Sequence, residues 1–82
     1  MSRPGGGRVV LYTIPEQCPL CDEARETLAG AGVDFREVDI RGDRELLRAY
    51  RLEIPVVTVD GQKEFTGRVD TGRLLRLLGI PR

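Results

Sequence analysis

The chain has 82 residues, with 13 basic and 13 acidic side chains that cancel, two cysteines and no histidine. That length holds one domain, which buries only about 60% of the surface its unfolded chain exposes. Zero net charge with no block of either sign argues against a nucleic-acid partner, and the lack of histidine excludes a Cys–His hydrolase and leaves too few ligands for an ordinary four-ligand zinc site.

Residues 1–7 contain one Arg and three consecutive glycines and read as a flexible N-terminal segment, which leaves 8–82 as the domain. The first strand is expected over residues 8–13, apolar on both faces as in the middle of a sheet. Its apolar run stops at Ile14, too short for a signal-peptide core or a membrane span, so the expected location is the cytoplasm with no membrane partner. From Cys18 on, Cys21, Ala24 and Leu28 recur at helical spacing, Asp22 and Glu23 stand in the first turn, and Gly30 and Gly32 supply the stop. A second strand is expected over 34–40. Arg41-Gly42 turns the chain, and Asp43 caps a second helix that buries Leu46, Leu47 and Tyr50 and turns Arg44, Glu45, Arg48 and Arg51 to solvent. Pro55 opens a third strand over 56–59. Asp60-Gly61 signals a type I′ hairpin into a fourth strand over 63–66. Asp70 or Thr71 starts a last helix around Leu74, Leu75 and Leu78, ended by Gly79 with Pro81 behind it. The order βαβαββα implies an α/β fold with a mixed sheet flanked by helices.

The chemistry lies in Cys18-Pro19-Leu20-Cys21. Two intervening residues let the sulfurs meet across the first turn of a helix, where unpaired N–H groups and the helix dipole stabilise a thiolate. Cys18 is then the nucleophile and Cys21 the resolver. In a cytoplasm that keeps thiols reduced, such a pair serves catalysis or metal binding rather than acting as a permanent staple. Pro19 is equally a good early-turn helix residue, its fixed φ costing nothing there, and Tyr12 reads as a packed aromatic.

The strand, the Cys18–Cys21 motif at a helix start, Ile54-Pro55 opening the third strand and Gly67 followed by Asp70 before the last helix together resemble the glutaredoxin and thioredoxin superfamily over residues 8–80. Within it the chain resembles the small glutaredoxin-like proteins of bacteria, with which it shares Leu11-Tyr12 and Cys21-Asp22-Glu23-Ala24. The resemblance implies a thioredoxin-like four-stranded sheet with three helices, an exposed first and recessed second cysteine, and a cis bond at Pro55. Such a bond would present the Ile54 backbone, its N–H and C=O free, to an extended substrate. In the expected function Ile54 and Pro55 position the substrate strand and Gly67, Arg68 and Asp70 border the groove, with Pro19 and Leu20 among the substrate-binding residues.

Glutathione-using relatives typically carry an aromatic residue at Leu20, a Lys before the first cysteine, a Thr at Glu53 and a Gly-Gly pair at Gly67-Arg68. Here Glu16 and Glu53 are expected to set negative charge near the site, which disfavours the two carboxylates of glutathione; Arg68 is the one candidate to hold a carboxylate. The expected function is a monomeric thiol–disulfide oxidoreductase reducing protein disulfides, with no cofactor beyond its redox-active disulfide and with a reductase or low-molecular-weight thiol as electron donor. The alternatives are a dedicated donor to ribonucleotide reductase, suggested by residues 65–70, and a thioredoxin-like binding or redox-sensing module. An iron–sulfur or zinc carrier assembled across a dimer would betray itself by colour or bound metal.

Overall fold

In the computed structural model, which describes residues 7–80, the elements run β1 (Val9–Thr13), α1 (Pro19–Gly30), β2 (Arg36–Asp39), a single 3-10 turn (Ile40–Gly42), α2 (Arg44–Tyr50), β3 (Val56–Val59), β4 (Gln62–Thr66) and α3 (Thr71–Leu77). The sheet order is β2-β1-β3-β4. β1 pairs parallel with β2 and antiparallel with β3, and β3 pairs antiparallel with β4 across a register shift between Val57 and Thr58. This is the four-stranded mixed sheet with three helices expected of a thioredoxin-like fold. Apart from Gly7, the N-terminal segment assigned to residues 1–7 lies outside the described residues.

The two central strands carry the core. All of β3 is buried, and β1 alternates buried and half-buried residues. Val9, Leu11, Val57 and Val59 pack with Ala24 and Leu28 of α1 and with Phe65, Leu74 and Leu78. The alternate face of β1 meets α2, where the Tyr12 and Tyr50 rings lie 5.1 Å apart. The helices therefore divide, α1 and α3 on one face and α2 on the other.

Acidic side chains start the shorter segments. Asp43 Oδ1 accepts the amides of Glu45 and Leu46 at 2.8 and 3.1 Å, and Asp70 Oδ1 accepts that of Arg73 at 3.1 Å, each satisfying helix donors that would otherwise lack partners. At Asp60-Gly61 both residues have positive φ, 52° and 82°, the type I′ geometry that favours this pair.

Two expectations need correction. β2 is shorter than 34–40, because Asp39 takes the Arg41 amide at 2.9 Å and winds Ile40–Gly42 into a 3-10 turn. Helix α2 buries none of its residues; Leu46, Leu47 and Tyr50 are half-buried. A helix of two turns covers only part of its side of the sheet, so its apolar stripe stays half in solvent.

Candidate functional site

β1 ends at Thr13, and the chain crosses 14–17, with Glu16 at φ 76°, to reach Cys18. Cys18 is extended, φ −141° and ψ 95°, and serves as the N-cap of α1. Its Sγ accepts the Cys21 amide at 3.0 Å, and its carbonyl accepts the Asp22 amide at 3.1 Å. Pro19 follows in the first helical turn, where a missing N–H costs no intrahelical bond. Cys18 and Cys21 are joined as a disulfide, their Cα atoms 5.1 Å apart, ordinary spacing for such a bridge.

The two sulfurs differ in access. Cys18 is half-buried, whereas Cys21 is 0% exposed among the core residues of α1. Pro19 is exposed and Leu20 is 39% exposed, so an apolar side chain stands in solvent between the cysteines. Of the two cysteines, only Cys18 has any exposed surface. The amide on its Sγ, with the dipole of a 12-residue helix behind it, stabilises negative charge on that atom.

The acidic residues of this turn are paired. Asp22 takes a bond from Arg25 Nη1 at 2.8 Å, and Glu23 takes one from Arg68 Nη1 at 3.0 Å. The second pair joins the loop before α3 to α1. That loop is also tied to the start of β3, since the Gly67 amide donates to the Pro55 carbonyl at 2.9 Å. The Ile54-Pro55 bond is cis, as the resemblance implies, and Pro55 is buried. Cys18, Pro19, Leu20 and Cys21 thus share one turn, while hydrogen bonds link Gly67 to Pro55 and Arg68 to Glu23 of α1.

Three assignments change in detail. The Ile54 amide is not free but donates to the Tyr50 carbonyl at 3.1 Å, so of its two backbone groups only the C=O is without a backbone or side-chain partner among the described residues. Asp70 is spent on capping α3. Glu53 is held by Lys63 Nζ at 2.8 Å, and the Lys63 ammonium is stabilised in return, its pKa raised by Glu53. The negative charge expected from Glu53 is therefore largely offset.

One group escaped the sequence reading. The buried Thr13 hydroxyl donates to Glu37 Oε2 at 2.8 Å, and Arg25 grips the same carboxylate through Nε at 2.6 Å and Nη2 at 2.7 Å. The Arg25 guanidinium, followed by the Thr13 hydroxyl, holds Glu37 below the usual carboxylate range against the opposing effect of burial. The guanidinium, bonded to Glu37 and Asp22, is raised in turn. This network fastens the first turns of α1 to the ends of β1 and β2. Strand alternation puts Glu37 and Asp39 on one face, but only the parallel pairing of β1 with β2 brings Glu37 to Thr13.

Among the described residues no group of three or more His, Cys, Asp or Glu side chains could hold a metal ion, and no helix is long and apolar enough to cross a membrane.

Residues 8–79 match the family described as Glutaredoxin-like domain (DUF836). Among solved structures, a structural-genomics target protein, XcR50, from X. campestris is 36% identical, with 87% of this chain and 95% of that one covered at a TM-score of 0.71. The thioredoxin-like protein BC3987 is 28% identical over 85% of this chain and 99% of its own, at 0.61. The glutaredoxin from Methanosarcina mazei Go1, 19% identical over 98% and 85%, shares the fold at 0.69. Among curated proteins, none matches the chain.

Proposed function

We propose that this chain, which belongs to the glutaredoxin-like domain family, is a thiol–disulfide oxidoreductase that reduces disulfides in proteins. A thioredoxin-like fold with a Cys18–Cys21 pair at disulfide distance supports a redox function in general. The observation carrying the finer reading is the asymmetry of the pair: Cys18 is half-buried and its Sγ accepts a backbone amide, whereas Cys21 is fully buried one turn inside.

In the reduced protein the Cys18 thiolate attacks one sulfur of a substrate disulfide. That S–S bond breaks, the departing sulfur leaves as a thiolate and takes a proton, and Cys18 is left in a mixed disulfide. Cys21 then gives up its proton and attacks Cys18 Sγ, releasing the second substrate thiol and closing the internal disulfide. Two electrons pass to the substrate. A donor dithiol, or two equivalents of a small thiol, restores the protein by the reverse exchange.

Pro55, the Ile54 carbonyl, Gly67 and Leu20 would seat the substrate strand, with Arg68 at its edge. A protein donor fits this site better than glutathione. Arg68 already holds Glu23, and Lys63 already holds Glu53, so a glutathione carboxylate would exchange one exposed ion pair for another and gain little. The reading places the protein in the cytoplasm, working as a monomer beside a reductase.

The test is insulin reduction by the reduced protein. Cys18→Ser should abolish it, and Cys21→Ser should stall as a mixed disulfide detected by mass spectrometry. Normal turnover by Cys18→Ser would overturn the reading.

A further inference from the structure

Arg8, Arg25, Arg41, Lys63, Arg68 and Arg73 each hold a carboxylate. Arg44, Arg48 and Arg51 hold none among the described residues, yet with Leu47 they line one groove of about 320 Å³ along α2. Their spacing stacks three guanidinia on one side of the helix, where like charges repel. This arrangement costs the free protein stability, and an anion over the groove offsets the repulsion.

Along the chain the groove is followed directly by the segment that carries Ile54 and Pro55. Arg51 is followed by Leu52, at 89% exposed the barest large apolar side chain described, and two residues later by Ile54, whose amide is tied to Tyr50 at the end of α2.

We infer that the α2 groove, with Leu52 at its end, docks an acidic segment of the protein whose disulfide is delivered to Cys18. The inference rests on the oxidoreductase reading only for the disulfide that accompanies the segment. Arg44 to Arg51 spans about 10 Å of helix, which about four residues of extended chain cover. Carboxylates on such a segment meet the guanidinia as forked pairs, and apolar side chains among them meet Leu47 and Leu52. A nucleic acid is less well served: three cations neutralise few phosphates, whereas salt-sensitive binders commonly use about six to ten, and a leucine wall offers a phosphate nothing.

The experiment titrates the isotope-labelled oxidised protein with hexaglutamate, and separately with hexalysine, oligo-dT and phosphatidylserine vesicles, while amide shifts are recorded. Hexaglutamate should perturb residues 44–52 selectively. The triple variant Arg44→Gln, Arg48→Gln, Arg51→Gln should lower its affinity about tenfold, the combined worth of three exposed ion pairs. Arg48→Glu with Arg51→Glu should transfer binding to hexalysine, and because both residues are exposed the fold can be checked by the remaining amide shifts. Perturbations scattered outside 44–52, or tighter binding of oligo-dT or vesicles at the groove, would overturn the proposal. A parallel assay compares turnover of two disulfide peptides with acidic and basic flanks. Preference for the acidic one supports the docking surface and equal turnover overturns it; loss of turnover with both, while hexaglutamate still binds residues 44–52, sinks the oxidoreductase reading and leaves the surface standing.

Discussion

Replacing Glu37 with Ala should damage the protein far more than a half-exposed carboxylate ordinarily would. Glu37 takes two bonds from Arg25 and one from Thr13. A hydrogen bond to a charged group contributes about 1.5–3 kcal/mol net, but the Arg25 and Glu37 side chains are 35% and 25% exposed, so the Arg25 share is nearer about 1 kcal/mol. The Thr13 hydroxyl is a different matter. Thr13 is 0% exposed, and stranding its hydroxyl without an acceptor costs roughly another 1–3 kcal/mol. Together the loss is about 2–4 kcal/mol, a fall in Tm of roughly 10–30 °C for a domain of this size, read by calorimetry or urea unfolding. The origin of the loss is separable by a second substitution. Thr13→Val is expected to destabilise the native protein but to be neutral or stabilising once Glu37 is Ala, since the stranded hydroxyl has then gone. If the two changes add to within about 0.5 kcal/mol, the buried hydroxyl is not what Glu37 serves and the reasoning fails.

Because Glu37 titrates lower in the folded chain than its ordinary value of about 4.3, its contribution is complete above that pH and is lost as pH falls through the folded value. Glu37→Gln should therefore flatten the acid limb of the stability profile, and an unchanged slope in urea melts from neutral to pH 2 would contradict this. Brief iodoacetamide treatment of the reduced protein should label Cys18 ahead of Cys21, because only Cys18 is accessible and faces a helix amide; peptide mapping that finds Cys21 labelled first would reverse the assigned roles. Glutathione should restore the free thiols slowly and thioredoxin reductase faster, since a missing charge-assisted contact lowers the affinity of so small a ligand by roughly ten- to a hundredfold. Saturable glutathione turnover abolished by Arg68→Ala would make this a glutathione-dependent enzyme instead.

What could be read in advance was whatever local chemistry decides. Asp60-Gly61 announces its turn because both residues tolerate positive φ, and Asp43 and Asp70 announce helix starts because a short carboxylate reaches the second and third amides beyond it. Cys18 and Cys21 were legible for the same reason, lying within a single helical turn. Periodicity placed Leu46, Leu47 and Tyr50 on the inward side of α2, but depth of burial depends on how much sheet lies beneath, which no seven-residue pattern contains. The grip of Arg25 on Glu37 joins a helix to a strand through the parallel pairing of β1 and β2, so it becomes visible only with the topology. The Ile54 amide was misjudged because its partner, the Tyr50 carbonyl, belongs to an α2 end whose place was not yet known.

The position of Cys18 as a helix cap gives the proposed redox cycle a mechanical side. Helices commonly begin on a hydroxyl or carboxylate, which redox chemistry leaves unchanged; α1 begins on a sulfur that in the proposed cycle passes through disulfide, thiol and thiolate. As a thiolate it is the best acceptor of the three, so the first turn of α1 is held most firmly when the protein is ready to attack and loosens when the sulfur is consumed. On the proposed cycle the protection of the Cys21 amide from deuterium follows the state of the Cys18 sulfur.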